Sequence, residues 1–237
     1  MKEAMTYGTL KRRLILSVVI SILTTLVTIL SDINLSKGQQ PSSVANFVFY
    51  FIIFSFCSYA GLFASSRNGF ITLVTSALVS FRKKLLHFLL YGIVAGIGIG
   101  IINTMVFKLS LDSSNLPEWL NSFNSIKDTF VLSARAAFME ETIFRLFLFS
   151  SITWLSLLTL QKILKKEKQQ LYIKSVIIGI VISSILFGLM HGSGFLYSSF
   201  MGVLLCIIFY KGGFESAIAA HFLGNFISFS IVFLNLN

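Results

Sequence analysis

Several uninterrupted apolar runs of about 20 residues are the feature that most limits what this chain can fold into. A helix needs about 20 apolar residues to cross a hydrocarbon layer of ~30 Å. Only 12% of the residues are charged, against roughly 25% in a soluble domain. We therefore predict an all-α polytopic membrane protein with about seven or eight transmembrane helices, and exclude a soluble enzyme, a nucleic-acid-binding module and a disordered regulator. The apolar runs fall at about 14–30, 44–64, 85–107, 130–160, 174–191, 195–210 and 214–235.

The excess of basic residues predicts an orientation in the lipid bilayer and no nucleic-acid partner. The chain has 19 Lys and Arg against 9 Asp and Glu. With the N-terminus inside, 14 Lys and Arg lie in inside segments, and only Lys37, Lys108 and Lys127 lie outside. Cytoplasmic loops of membrane proteins are enriched in Lys and Arg. We therefore expect a cytoplasmic N-terminus and an outside C-terminus.

Two connecting segments and two cysteines complete the organisation of the chain. The run Phe70–Val79 is too short to span and is expected to lie in the interface or re-enter. The loop 108–128 is the only connection long enough to form a small external element. Cys57 and Cys206 lie in apolar runs, far apart in sequence, and are expected to be buried thiols.

The run 130–160 contains four ionisable residues that are costly in lipid: Arg135, Glu140, Glu141 and Arg145. Together they cost on the order of 10 kcal/mol, whereas the Leu, Ile, Phe and Val residues of the run return roughly 5–9 kcal/mol. The segment must therefore be held by neighbouring helices or lie against a water-filled cavity. It is the first candidate for a functional site.

Helical spacing gives the two adjacent glutamates different surroundings. Glu141 and Arg145 are four residues apart with the acid first, which is the favoured order for an ion pair. Glu140 lies about 100° around the helix from Glu141. We predict that Arg145 neutralises Glu141 and leaves Glu140 free for proton transfer. The alternative is that both glutamates belong to one buried ion-pair network that only fixes packing.

Two further runs contain a histidine on a stripe of small or polar residues. In 174–191 the stripe includes Ser184, Gly188 and His191, and in 214–235 His221 and Asn225 lie one turn apart. A buried glutamate can take a proton from water, and histidine and asparagine can donate hydrogen bonds to a developing oxyanion. The same residue types could instead bind Zn²⁺ as a His₂Glu site. Either arrangement could hydrolyse an acyl bond, and spacing alone does not choose between them.

Three motifs in this half of the chain resemble those of a known family. Residues 140–145 (EETIFR) match an EExxxR pattern, 187–191 (FGLMH) an FxxxH pattern, and 221–225 (HFLGN) an HxxxN pattern. They occur in the order found in the CPBP intramembrane proteases, also called the Abi or CaaX amino-terminal protease family. One departure is Leu146, where the family usually has glycine.

The resemblance implies a membrane-embedded endopeptidase that cleaves a peptide bond of a membrane-associated peptide or small protein through a glutamate-activated water. By motif position the implied catalytic residues are Glu140, Glu141, His191, His221 and Asn225, with Arg145 and Phe187 in support. Metal dependence stays open, and Glu140, His191 and His221 are the possible Zn²⁺ ligands. The implied organisation is one membrane-embedded domain, 1–237, with spans lacking an assignable motif in 1–125 and a protease core in 130–235.

The family includes prenyl-protein CaaX endopeptidases and bacterial proteins tied to bacteriocin immunity or peptide processing. The short chain suits the bacterial group, and we expect it in a bacterial plasma membrane. A non-catalytic immunity or scaffold protein on the same fold is the alternative function. A proton-coupled transporter lacks support from inverted repeats, and a serine mechanism at Ser193 lacks the glycine that the motif needs at position 191.

One geometric conflict remains at this stage. At 1.5 Å per residue, His191 would lie ~25 Å from the inside end of its helix, and His221 only ~10 Å from the inside end of its own. Residues of one site must share a depth. We therefore expect tilted or broken helices or a shifted boundary, including a possible division of 130–160 into two helices.

Overall fold

A computed structural model describes residues 2–35, 44–70, 81–110 and 125–236. These residues form helices and short connections without any strand, which confirms the predicted all-α class. Seven helices of the described ranges are long and apolar enough to cross a membrane, one for each predicted apolar run. Most of the segment Phe70–Val79 and of the loop 108–128 lies outside the described residues, so the expectations for both stay open.

We number the seven long helices in chain order. Two of them contain a segment of wider π-helical turns, and a short 3₁₀ turn, Gly192–Gly194, precedes the sixth. The helices are α1 (Lys2–Leu35), α2 (Val44–Asn68), α3 (Phe81–His87, continued by π-helical Phe88–Val94 and by Ala95–Ser110), α4 (Ile126–Leu164, π-helical over Glu141–Phe149), α5 (Lys168–Leu189), α6 (Phe195–Gly212) and α7 (Phe214–Leu236).

The run 130–160 belongs to one continuous helix, so its possible division into two helices is wrong. Helix α4 has 39 residues and is therefore about 58 Å long at 1.5 Å per residue. The π-helical turns over Glu141–Phe149 replace the expected break. Such turns occur inside α-helices mostly as local insertions, and often at functional sites.

Helix α1 packs against α2 and α4 through small hydroxyl side chains. Ser21 and Thr24 are fully buried, and their hydroxyls lie 3.0 Å from that of Ser58 on α2 and 3.4 Å from that of Thr142 on α4. In lipid, small residues allow helix backbones to approach closely and their hydroxyls can bond across the interface. The further buried members of this stripe on α1 are Ser17, Thr25, Thr28 and Ser31.

Helices α3 and α7 run side by side in the same direction, held close by glycines. A Cβ at Gly96 would lie 2.9 Å from Cα of Ala220, and a Cβ at Gly100 would lie 2.9 Å from Cβ of Ile227. The small residues recur every four positions on α3, as in helix pairs that pack at short distance in membranes. Helix α3, which has no recognisable motif, is therefore fixed against the helix that contains His221.

Helices α5 and α6 form an antiparallel hairpin around the 3₁₀ turn. A Cβ at Gly202 on α6 would contact Ser184 and Phe187 on α5. Cys206 is buried in the same interface, where its Sγ lies 3.2 Å from the hydroxyl of Ser183. Cys57 is also a buried free thiol, so the expectation for both cysteines is confirmed.

Gly61 on α2 offers a test of the close contact with α4. A Cβ there would overlap the carbonyl oxygen of Leu146, a backbone atom that cannot turn away. We expect Gly61→Ala to lower the free energy of unfolding by about 1–3 kcal/mol, the usual cost of overpacking. Thermal unfolding of the purified protein in detergent measures the change.

Gly98→Ala is the matched control for this substitution. Gly98 also lies within a transmembrane helix, but among the described residues no atom comes within 4 Å of the place that a Cβ would take there. Alanine has the higher helix propensity by about 1 kcal/mol, so no loss of stability is expected. Equal melting temperatures for the two variants would contradict the packing argument.

Candidate active site

The junction between α-helical and π-helical turns in α4 separates the two adjacent glutamates. Glu140 is the last residue before the π-helical segment, and Glu141 is its first. The side chain of Glu141 is fully buried, whereas that of Glu140 retains 17% of its exposure and lines a cavity. Neighbouring residues of a helix point about 100° apart, so one carboxylate lies in the protein interior and the other at the cavity surface.

Glu141 is the centre of a buried charge network. Its Oε1 lies 3.2 Å from Nη1 of Arg145 and 2.8 Å from Nδ1 of His221 on α7. The side chains of Glu141 and Arg145 are 0% and 1% exposed. The structure thus forms the ion pair that the spacing predicts, and adds to it a histidine from 80 residues further along the chain.

Phe187 on α5 is the aromatic side chain around which the charged groups pack. The guanidinium carbon of Arg145 lies 4.1 Å from the centre of the Phe187 ring, within the range of a cation–π contact. The rings of His191 and His221 have their centres 4.6 Å and 6.2 Å from that of Phe187. Phe187 therefore contacts the buried arginine and both histidines.

The hydrogen-bond partners of the two histidines determine which ring nitrogen carries a proton in the neutral form. His221 Nδ1 donates to the carboxylate of Glu141, and His191 Nδ1 donates at 2.8 Å to the backbone oxygen of Phe187. Both partners are acceptors, so the proton is assigned to Nδ1 in each ring. The lone pair of each Nε2 is then available on the side of Glu140.

Glu140 meets both histidines at the surface of a cavity of about 520 Å³. Its Oε2 lies 3.7 Å from Nε2 of His221 and 4.0 Å from Nε2 of His191. These distances are too long for direct hydrogen bonds. Asn225 also lines the cavity, so its polar surface includes four of the five residues that the motifs select as catalytic. The apolar walls are formed by Ile99, Phe107, Leu132, Met201, Leu205 and Phe229.

The structure brings the two histidines to one site, because Oε2 of Glu140 lies 4.0 Å from Nε2 of His191 and 3.7 Å from Nε2 of His221. The ring of His191 folds back on its own helix toward Phe187, and α6, with 18 residues against 22 in α5, is about 6 Å shorter. Helix α5 begins at Lys168 rather than near 174, which lengthens the path from its inside end to His191. Residue counts along straight, upright helices therefore do not give the depth of these side chains.

Two cavity residues were missed by the sequence reasoning. Asn103 on α3 is buried at 6% exposure, and Tyr197 lies near the start of α6. The hydroxyl of Tyr197 donates to the side-chain oxygen of Asn103. A polar residue within the apolar run 85–107 was the available signal for Asn103, because such residues in membrane helices often have a function. Nothing in the local sequence marks Tyr197.

The three possible zinc ligands lie at one cavity, where Oε2 of Glu140 faces Nε2 of His221 at 3.7 Å and Nε2 of His191 at 4.0 Å. Among the described residues, no three His, Cys, Asp or Glu side chains form a group tight enough to hold a metal ion as they stand. Metal dependence is therefore left to the chelator experiment below.

The fold and the cavity define a class of protein: a polytopic helical membrane protein with a Glu–His–His–Asn site between its helices. Residues 122–227 match the family model described as "Rce1-like: Type II CAAX prenyl endopeptidase Rce1-like". This match includes all three motifs and confirms the resemblance to the CPBP and CaaX proteases, which are a protease family. No curated protein and no solved structure matches the chain.

Arg145 provides a test of the buried ion pair. Its removal leaves Glu141 charged in low dielectric, which typically costs about 3–5 kcal/mol. We expect Arg145→Ala to lower membrane abundance and melting temperature strongly, and the double variant Glu141→Gln/Arg145→Ala to recover part of the loss. Detergent melting curves and quantification of the membrane fraction measure both.

Arg135→Ala is the matched control, because Arg135 also forms an ion pair from α4. Its Nη1 lies 3.0 Å from Asp32, but both side chains are 28% exposed. An exposed pair contributes about 0–1 kcal/mol, so this change should have little effect. Normal accumulation of Arg145→Ala, with no gain in the double variant, would show that the ion pair does not stabilise the fold.

Proposed function

We propose that this protein is an intramembrane endopeptidase that hydrolyses a peptide bond of a membrane-associated peptide or small protein through a water activated by Glu140. The observation that supports this most directly is the position of Glu140 Oε2, opposite the Nε2 atoms of two histidines at 3.7 Å and 4.0 Å. The spaces between this carboxylate oxygen and the two ring nitrogens suit an intervening water. The cavity of about 520 Å³ leaves room for a peptide main chain. The protease family match supports the reaction class.

Glu140 acts as the general base in this proposal. Its carboxylate takes a proton from water while the water oxygen forms a bond to the scissile carbonyl carbon. The proton then passes to the leaving nitrogen as the C–N bond breaks, which yields a carboxylate and an amine. His191, whose side chain is 36% exposed, can relay this proton because its Nε2 has an available lone pair.

Asn225 and His221 stabilise the negative charge on the carbonyl oxygen. The side-chain amide of Asn225 can donate a hydrogen bond in any protonation state. His221 holds its first proton on Nδ1, bonded to Glu141, so its Nε2 donates only when the ring has taken up a second proton. Preorganised donors of this kind lower the barrier to acyl hydrolysis.

Glu141 is a positioning residue in this mechanism. It is fully buried and has no place among the residues that line the cavity. Its contacts with Arg145 and His221 orient the imidazole and keep the net charge of the buried cluster low. The sequence-based assignment of Glu141 as catalytic is thus refined to an action through His221.

The substrate must present its scissile bond within the membrane. The apolar walls of the cavity suit apolar side chains around the cleaved bond. The charge bias of the loops supports a cytoplasmic N-terminus, and a bacterial plasma membrane is the proposed location. The helices themselves make the protein an integral membrane protein.

Loss of the base or of its partner is the first test of this function. We expect Glu140→Gln and His191→Ala each to abolish cleavage while the protein stays folded, because a base and its partner act as a unit. Peptide mapping of the membrane and secreted fractions, with wild type and Glu140→Gln compared, measures this. Identical peptide patterns would refute the protease function and favour a non-catalytic role on the same fold.

The oxyanion role of Asn225 is tested by a graded series. Loss of one preorganised donor costs about 10²–10³ in rate, so Asn225→Ala should leave weak cleavage where Glu140→Gln leaves none. Asn225→Asp should be worse than alanine, because a carboxylate repels the developing negative charge. Cleavage rates with and without a chelator complete the series. Chelator-sensitive activity that survives Asn225→Ala would replace this mechanism with a metal-dependent one.

A further inference from the structure

Close packing of α3 against α7 brings Asn103 to the side of the catalytic asparagine. At Gly224, a Cβ would overlap the side chain of Ile99, so the two helices touch at this point. Asn103 lies one turn beyond Ile99 on α3. Its Nδ2 lies 3.8 Å from where a Cβ of Gly224 would be, beside the residue that precedes Asn225. Two carboxamides from different helices therefore line one cavity.

The Asn103 amide has its oxygen on the side of Tyr197, whose hydroxyl donates to Oδ1. The assignment of oxygen and nitrogen in this carboxamide follows from that hydrogen bond. Within the described ranges, Nδ2 has no hydrogen-bond partner, so both of its hydrogens are available to a ligand in the cavity.

We propose that Asn103 binds a main-chain carbonyl oxygen of the substrate next to the scissile bond, and that Tyr197 is the positioning residue that holds its amide for this contact. The inference rests on the proposed protease function and deepens it. This part of the cavity is lined by the apolar side chains of Ile99, Phe107 and Phe229. A neutral amide donor in such surroundings suits a main-chain carbonyl oxygen, which every peptide residue has. The expected substrate is thus an apolar segment recognised through its backbone.

The kinetic signature of this contact differs from that of the oxyanion donors. A hydrogen bond to a flanking carbonyl is made equally in the bound substrate and in the transition state, so its loss raises KM and leaves kcat nearly unchanged. Loss of Asn225 lowers kcat instead. If Asn103 had only a structural role, its substitution would change the melting temperature. It would not raise KM while leaving kcat unchanged.

Asn103→Asp keeps an acceptor for Tyr197 and replaces the amide donor with a carboxylate, which repels a carbonyl oxygen. With a pool of apolar decapeptides as the probe, we expect KM to rise by about 100-fold, and we expect the buried charge to lower the melting temperature. Tyr197→Phe should raise KM by about tenfold. The double variant Asn103→Leu/Tyr197→Phe removes both polar groups without adding charge, and should also raise KM. Tyr59→Phe, on the exposed side of α2, is the control and should change nothing.

The inference and the protease function fail in different ways. Suppose that wild type cleaves the pool and that KM is unchanged both in Asn103→Asp and in the double variant. This result would overturn the role of Asn103 and leave the protease function intact. If wild type cleaves no peptide of the pool, the protease function fails. Binding then decides the inference: in Glu140→Gln protein, the pool should raise the melting temperature, and Asn103→Asp should remove that shift. An equal shift in both proteins, or no shift at all, would overturn the proposal.

Discussion

The ion pair between Glu141 and Arg145 is the interaction on which the rest of the site depends. Both side chains are buried in the middle of the longest helix, where an unpaired charge is strongly destabilising. Each partner also engages another helix: Glu141 bonds His221 on α7, and Arg145 packs on Phe187 of α5. Three helices are therefore held in register by one neutralised charge pair. The register in turn places His191, His221 and Glu140 around one cavity.

Close helix contacts through small residues make this arrangement possible. Lipid provides little hydrophobic driving force between helices, so packing and interhelical hydrogen bonds must stabilise the bundle. Gly61 lets α2 reach the backbone of α4 at Leu146, and Gly96 and Gly100 let α3 reach α7. The family usually has glycine at position 146. Here the glycine lies on the facing helix, at Gly61, and leucine fills the position on α4.

The chemistry of the site follows from two adjacent carboxylates with opposite environments. Glu140 retains access to the cavity, and Glu141 has none. One can exchange a proton with water, while the other orients a histidine and balances a guanidinium. The polar surface of the cavity is small, and its walls are apolar. Such a site suits a peptide whose side chains are apolar and whose backbone supplies the polar contacts.

The sequence by itself determined the seven spans, because about 20 apolar residues can only be accommodated by crossing the bilayer. It also determined the Glu141–Arg145 pair, because residues four apart on a helix are neighbours, and its three motifs were sufficient to show the resemblance to the protease family whose model matches residues 122–227. Only the tertiary structure decided that α4 continues through π-helical turns, that both histidines turn Nε2 toward Glu140, and that Asn103 and Tyr197 meet in the same cavity. The physical reason is separation along the chain. Periodicity shows only the face of a single helix, whereas these side-chain contacts join residues from 51 positions apart, Glu140 and His191, to 94 positions apart, Asn103 and Tyr197. Close packing between helices brings them together.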